Sequence, residues 1–174
     1  MRYVVMILIV IISILLVFGV FTSINLWDIA PDTILLSIVA MVLLEKTLMP
    51  VLFFSVGTLF MDILFARAIG FYTIPYLVAG LAVYLFFKNR PPERKPWIPA
   101  LAAGGGVLIK ELLTAFLCLI LRYNFHFGTL FIRYTLPSVV LNGLLMIPVF
   151  LLFRALYRKN FMRPQQALDE RMPF

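Results

Sequence analysis

The chain has 174 residues, of which 63% are hydrophobic and 13% are charged, whereas a soluble domain is about half apolar and about a quarter charged. This composition excludes an ordinary water-soluble domain, and the length is that of a single domain. A lone cysteine, Cys118, and a lone histidine, His126, exclude a disulfide within the chain and are too few for a Cys/His metal cluster. We therefore expect an integral membrane protein whose apolar side chains mostly face lipid.

The first three apolar segments differ in length. Residues 3–21 are too long for the apolar part of a signal peptide and lack an A-x-A cleavage site, so we interpret them as a retained helix. Residues 33–44 and 50–67 are short, and they are separated by a charged pair ending at Lys46 and by Pro50. We predict that they form two helices, tilted or placed where the bilayer is locally thinned.

Three further apolar segments complete the predicted bundle. Residues 69–87, 97–121 and 136–156 are each long enough to span a bilayer. The charged segment 88–96 contains three prolines and is predicted to be a loop between the fourth and fifth spans. The polar, basic residues 157–174 are predicted to be a cytoplasmic tail, disordered or lying on the membrane surface.

The basic residues indicate how the spans are oriented. Of the 15 Lys and Arg residues, eleven fall on the side that carries both termini, three fall on the other side, and Lys110 lies within a span. This excess predicts cytoplasmic termini, and it explains the formal charge of +7 without a nucleic-acid partner. Merging the second and third segments would bury Lys46 in the bilayer. We therefore predict an all-α integral membrane protein, a six-transmembrane-helix bundle over residues 1–156 with a basic cytoplasmic tail.

Two adjacent charges, Lys110 and Glu111, lie in the middle of the fifth predicted span. The residues spaced four apart through Lys110 are small, which places the lysine on a face that packs against other helices. These small residues are Ala102, Gly106, Thr114 and Cys118. A charge at the bilayer centre costs at least ~2.5 kcal/mol, so we expect both side chains to find partners.

The candidate partners of Lys110 and Glu111 are each other, Asn142 in the sixth span, and Ser55 or Thr58 in the third. Two interpretations remain open for the pair. It forms a charged, hydrogen-bonded link between helices, or it lines a path for an ion, a proton or a ligand carboxylate. An acid and a base close together neutralise each other, which favours the link.

Other polar residues within the spans are candidates for contacts with partners or between helices. Asp32 is predicted to be the N-cap of the second span, and Asp62 is predicted to bond to another helix; both would lie near the outer face. Tyr72, Tyr76 and Tyr84 share one helical face, which indicates either a packed aromatic seam or a wall that lines a ligand site.

Several short motifs resemble those of the MreD family, the rod-shape-determining membrane proteins of bacteria. They are P-D at 31–32 before a short leucine-rich helix, G-x4-D at 57–62, and G-F-Y at 70–72 before a small and aromatic helix. The resemblance is best over residues 31–84, about a third of the chain. The second half is similar only in its plan of spans and its basic tail.

This resemblance implies a non-enzymatic scaffold of the cell-wall elongation machinery in the bacterial inner membrane. Its implied partners are MreC, MreB filaments on the cytoplasmic face and the peptidoglycan synthases of elongation, besides membrane lipid. The fold it implies resembles that of the substrate-binding subunits of energy-coupling-factor vitamin transporters. The residues themselves offer no catalytic set, cofactor site or metal site, because Cys118 is interpreted as an apolar helix residue and His126 as a loop residue.

A vitamin-binding subunit of such a transporter is the alternative. These subunits resemble one another in an A-x-x-x-A surface on the first helix and in outer loops that hold a polar ligand. Here Ser13 and Gly19 are the only small residues of the first predicted helix, and the outer loops are short. Both features favour the scaffold.

Overall fold

A computed structural model describes residues 2–17, 30–66, 68–89, 97–122, 128 and 131–158. These residues form α-helices without any strand, so the all-helical prediction is confirmed for them. The helices are α1 Arg2–Leu15, α2 Thr33–Glu45, α3 Met49–Phe65, α4 Thr73–Phe87, α5 Trp97–Ile120 and α6 Leu136–Tyr157, and a π-helical turn, Phe131–Thr135, leads directly into α6. His126, residues 90–96 of the predicted loop and residues 159–174 of the predicted tail fall outside the described residues.

The second and third apolar segments form separate helices, as predicted. Lys46 ends α2 in the left-handed conformation, with φ 54°, and its backbone N–H donates to the Val42 carbonyl. Pro50 lies in the first turn of α3, where the missing N–H of a proline costs no helical hydrogen bond. The break therefore results from a helix end and a helix start placed four residues apart.

Helix α2 occupies the centre of the bundle. Every residue from Ile34 to Val42 is buried, and α2 packs against each of the other five helices. A helix that is apolar all round has no face suited to water, so its place in the core follows from its sequence. Its 13 residues make it only about 20 Å long, whereas α5 has 24 residues and α6 has 22.

Contacts at the two ends of α2 fix its position along the axis of the bundle. At its beginning, Asp32 contacts Lys110, which lies near the middle of α5. At its end, Glu45 accepts a hydrogen bond from the hydroxyl of Tyr157, the last residue of α6. Ten residues separate Lys110 from the end of α5 at Ile120, so α5 continues about 15 Å past the beginning of α2.

The bundle is apolar outside and polar in places inside. Outward side chains such as Val4, Leu64 and Leu152 are 61–70% exposed, whereas Asn142 and Asp62 are at most 2% exposed. Of the described helices, Trp97–Ile120 and the continuous segment Phe131–Tyr157 are long and apolar enough to cross a bilayer by length and composition. The other four are apolar but shorter.

Candidate functional site

Lys110 is the centre of a partly buried ion-pair network. Its Nζ lies 2.8 Å from Asp32 Oδ2 and 2.8 Å from Glu111 Oε1, so one ammonium contacts two carboxylates. The side chain of Lys110 is 15% exposed and that of Asp32 is 6% exposed. The predicted pairing of Lys110 with Glu111 is therefore confirmed. The ion pair with Asp32 was not predicted, and it is the one that joins two helices.

Asp32 makes hydrogen bonds with residues of four helices: it accepts from three of them and donates to the fourth. One carboxylate oxygen accepts the Leu35 N–H at 3.0 Å, which makes Asp32 the N-cap of α2, as predicted. The Tyr76 hydroxyl, from α4, lies 3.0 Å from both carboxylate oxygens. The backbone N–H of Asp32 donates to Asn142 Oδ1, from α6, at 2.7 Å. With Lys110 from α5, these contacts join α2, α4, α5 and α6 at one point.

We call Asp32, Tyr76, Lys110, Glu111 and Asn142 the Asp32 cluster. Asn142 is oriented by its own helix, because its amide nitrogen donates to the carbonyl and hydroxyl of Ser138 at 2.9 and 3.2 Å. Its oxygen is thereby directed to the Asp32 backbone and not to Lys110. The expectation that Asn142 partners the lysine directly is wrong, although both residues belong to the cluster.

The small-residue face of α5 explains how Lys110 reaches Asp32. Ala102 and Gly106 are buried on this face, and a Cβ on Gly106 would lie 3.6 Å from Leu35 and 3.8 Å from Val39 of α2. Small side chains at these positions let α5 lie close to α2, so the lysine one turn further on meets the beginning of α2. The flanking faces are exposed through Leu108, Leu112, Phe116 and Leu119.

The polar residues of α3 do not take part in the cluster. The Ser55 hydroxyl donates to the Val51 carbonyl, and the Thr58 hydroxyl donates to the Ser55 carbonyl, so both side chains bond within their own helix. The prediction that either one partners Lys110 is therefore wrong. Serine and threonine in helices commonly satisfy their hydroxyls in this way.

Asp62 lies outside the Asp32 cluster and stabilises the connection between α3 and α4. Its carboxylate accepts the backbone N–H groups of Gly70, Tyr72 and Thr73 at 2.7–3.1 Å, and the Thr73 hydroxyl at 2.5 Å. Gly70 has φ 99°, a conformation that L side chains rarely adopt. The carboxylate therefore holds the connection between α3 and α4 in a turn, and α4 begins at Thr73. The prediction of a helix from residue 69 is wrong at its beginning for this reason.

A cavity of about 350 Å³ lies beyond the beginning of α2, where α5 and α6 continue without it. Its walls combine charged, aromatic and small side chains. They are Val17, Ala30, Pro31, Asp32, Tyr72, Tyr76, Lys110, Glu111, Tyr134 and Ser138. Part of the Asp32 cluster thus forms one wall of an open space. Lys110 links two helices, and the interpretation that it lines a path for an ion, a proton or a ligand carboxylate stays a prediction.

The tyrosine face of α4 is divided between two environments. Tyr72 and Tyr76 line the cavity, and the ring of Tyr76 lies 5.4 Å from Lys110 Nζ. Tyr84 lies nearer the other end of α4, where its ring is 6.0 Å from Lys88 Nζ and packs against the core. The structure therefore brings together six of the eight predicted polar candidates, and it places Asp62 and Tyr84 elsewhere.

Two residues that matter in the structure, Tyr134 and Glu45, are only weakly indicated by the sequence. Tyr134 lines the cavity from the π-helical turn, just before the segment 136–156 that the sequence predicts to be the sixth span. Glu45 is 6% exposed at the end of α2, where the negative end of the helix dipole disfavours it, and it is satisfied by the hydroxyls of Tyr157 and Thr47. A buried carboxylate at a helix C-terminus requires hydrogen-bond donors. The position of Glu45 at the end of an apolar segment was therefore the sequence signal for such donors.

The chemistry of the described site is that of hydrogen bonding and charge pairing. Among the described residues, no group of three or more His, Cys, Asp or Glu side chains could hold a metal ion. Cys118 is a free, partly exposed thiol on the small-residue face of α5. Comparisons of the chain with protein-family models, with curated proteins and with solved structures found no match.

Proposed function

We propose that this chain is a multi-pass protein of the bacterial inner membrane and a non-enzymatic scaffold of the cell-wall elongation machinery. The observation that carries the membrane part is the inverted polarity of the bundle: the Asp32 cluster is inside, and exposed leucine, isoleucine and phenylalanine side chains are outside. In water, apolar outer faces of this extent would associate. In lipid, the same faces are solvated and the buried charges are paired.

On this proposal all six helices lie within the bilayer, with both termini cytoplasmic. Helix α2, at about 20 Å, is shorter than the hydrocarbon core of ~30 Å. Non-helical backbone at membrane depth is tolerated where it is enclosed by protein or lines a cavity, and residues 30–32 line the cavity. Pairing of Lys110 with Asp32 and Glu111 lowers the cost of placing charges there.

The scaffold role rests on the resemblance of the chain to MreD, and the structure supplies a surface suited to it. The Asp32 cluster ties α2, α4, α5 and α6 together, which gives a rigid body for lateral contacts. A groove of about 570 Å³ runs between α1 and α3 on the outside of this body. It is lined by Ile7, Val10, Ile11, Ile14, Met49, Leu52, Phe53, Val56, Gly57 and Phe60.

We assign this α1–α3 groove to the single span of MreC. A groove between helices receives the side-chain ridge of a third helix, and an apolar wall suits an apolar span. Gly57 is needed for the shape of the groove, because a Cβ there would lie 2.4 Å from Val10 Cγ1. In this scheme, basic residues at the cytoplasmic ends of the helices, such as Lys88 and Arg154, meet anionic lipid or MreB filaments.

The test is copurification with MreC from a rod-shaped bacterium depleted of its own MreD. The tagged chain should restore rod shape and recover MreC together with elongation synthases. Phe60→Ala, in the groove, should reduce MreC recovery, and Phe116→Ala on α5 is the matched control because both rings are 58% exposed. Absence of MreC under conditions that preserve it overturns the scaffold. Equal recovery by both variants overturns only the assignment of the groove.

One observation favours the alternative, a vitamin-binding transporter subunit: the cavity beside the Asp32 cluster. Against it, Ser13 is 4% exposed and its hydroxyl lies 3.1 Å from that of Ser37 in α2, so this small residue faces the bundle interior. The other small residue, Gly19, falls outside the described residues. Native mass spectrometry of protein extracted from membranes discriminates the two, because a vitamin should copurify with a transporter subunit and MreC with a scaffold.

A further inference from the structure

We infer that the cavity beside the Asp32 cluster is a binding site for a small organic cation, with an ammonium group beside Glu111 and its apolar part against tyrosine rings. This inference goes beyond the scaffold role and does not depend on it. It rests on the net charge of the cavity wall, on the acceptors that remain there and on the kind of side chain that covers the rest.

The charged side chains described on the cavity wall do not balance. Among the lining residues that the structure describes, Asp32 and Glu111 carry one negative charge each and Lys110 carries one positive charge, so their formal charge is −1. Away from water an uncompensated charge is costly, because neither solvent nor a counter-ion stabilises it. A cation entering the cavity would remove this imbalance, whereas an anion would double it.

The remaining acceptor belongs to Glu111. Both oxygens of Asp32 already accept hydrogen bonds from protein donors, namely Leu35, Tyr76 and Lys110. Glu111 contacts Lys110 through Oε1, and no donor among the described residues reaches Oε2. Its side chain is also the more exposed of the two carboxylates, at 23% against 6%. An ammonium group in the cavity would therefore meet Glu111 first.

The tyrosine side chains that line the cavity favour an organic cation over an inorganic cation. Tyr72, Tyr76 and Tyr134 all line the cavity, and tyrosine rings attract cations within about 6 Å of their centroids. The Tyr76 ring already lies 5.4 Å from the ammonium of Lys110, so an alkylammonium between a carboxylate and a tyrosine is an arrangement that this site contains. The volume of about 350 Å³ is near the lower end of the ~300–1,000 Å³ of small-molecule sites, which limits the ligand to a small molecule.

The test is the thermal unfolding of the purified full-length protein in lipid nanodiscs with choline, its uncharged isostere 3,3-dimethylbutanol, sodium acetate or sodium chloride. Choline should raise the midpoint in a saturable way, and the other three should not at the same concentration. Equal shifts by choline and sodium chloride, a shift by the uncharged isostere, or no shift with choline would each overturn the inference.

Two pairs of variants make the assignment specific. Glu111→Gln should weaken choline binding about tenfold, the effect of losing ~1.4 kcal/mol, and Leu112→Ala on the outer face of the same helix should not. Tyr134→Phe should bind choline as the parent does, because the ring remains, and Tyr134→Leu should bind more weakly. If Glu111→Gln fails to fold, the Tyr134 pair decides, since that side chain is 39% exposed and tolerates replacement. Equal binding by Tyr134→Phe and Tyr134→Leu overturns the aromatic contact.

Discussion

Asp32 and Asp62 are both buried aspartates next to the first turn of a helix, yet they stabilise the bundle in different ways. The Asp62 carboxylate takes its hydrogen bonds from residues 8 to 11 positions away, and its donors are backbone N–H groups and one hydroxyl. Asp32 takes one local hydrogen bond and is then joined to residues 44, 78 and 110 positions away. The first is a local cap, and the second ties distant helices together.

The two aspartates differ in the donors that they take among the described residues. Three backbone N–H groups and a hydroxyl satisfy Asp62, and its hydrogen bonds are short. Asp32 receives fewer neutral donors and instead takes an ammonium from another helix, and that ammonium in turn contacts Glu111. Charge in the Asp32 cluster is therefore shared by three residues. Removing Lys110 leaves two carboxylates without a cation, whereas removing either carboxylate leaves one ion pair.

The largest expected effect comes from Lys110→Leu. The substitution leaves Asp32 and Glu111 without their common cation, and breaking a buried ion pair by removing one partner costs about 3–5 kcal/mol. We expect a matching loss in thermal stability of the protein in detergent. Adding Glu111→Gln should restore only part of it, because Asp32 remains charged, and adding Asp32→Asn as well should restore most. Thermal stability of Lys110→Leu equal to that of the parent would contradict the role of the cluster.

Asp62→Ala should have the next largest effect, and a local one. It leaves the backbone N–H groups of Gly70, Tyr72 and Thr73 without their acceptor, at about 1–3 kcal/mol for a group that stays buried. Hydrogen exchange should accelerate at these amides and remain unchanged in α5. Exchange that accelerates equally in both places would show that Asp62 is not a local cap. The control is Asp62→Asn, which keeps an acceptor oxygen and should lose less.

The sequence predicts which segments form helices better than it predicts where each helix lies along the axis of the bundle. Apolar runs, Pro50 and the pair ending at Lys46 located the separate α2 and α3, and the small residues of α5 located the buried face of Lys110. The contact between Asp32 and Lys110 was missed because both helices were assumed to begin at a surface, which placed Asp32 near an outer end. In the structure α2 begins level with the middle of α5.

The cavity could not be predicted for a related reason. It exists because α5 and α6 continue past the beginning of α2, and that difference depends on how the helices are aligned in three dimensions. Tyr72 and Tyr76 were identified as one face of a helix, but spacing alone does not show whether a face meets packed side chains or open space. Tyr84, on the same face, meets the core.

Asp32→Asn tests whether the negative charge of Asp32, and not only its position at the beginning of α2, distinguishes it from Asp62. Asparagine is an equally good N-cap, so the local hydrogen bond to Leu35 should persist. The lost contact is the ion pair with Lys110, which keeps Glu111 as its partner, and we expect a loss of about 1–2 kcal/mol in thermal unfolding. In a double-mutant cycle Asp32→Asn and Lys110→Leu should be strongly non-additive, whereas Asp62→Asn and Lys110→Leu should be additive. Additivity in both cycles would remove the distinction between the two sites.

Tyr76→Phe should have the smallest effect. It removes the hydroxyl that donates to both oxygens of Asp32, while the ring stays beside Lys110 Nζ. Because Asp32 keeps Leu35 and Lys110 as donors, the expected loss is only that of an ordinary hydrogen bond, about 0.5–1.5 kcal/mol. Tyr84→Phe, on the same face of α4, is the matched control outside the cluster. A larger loss for Tyr84→Phe than for Tyr76→Phe, measured by thermal unfolding, would mean that the Tyr76 hydroxyl contributes nothing specific to the cluster and that apolar packing alone holds α4 against α2 and α5.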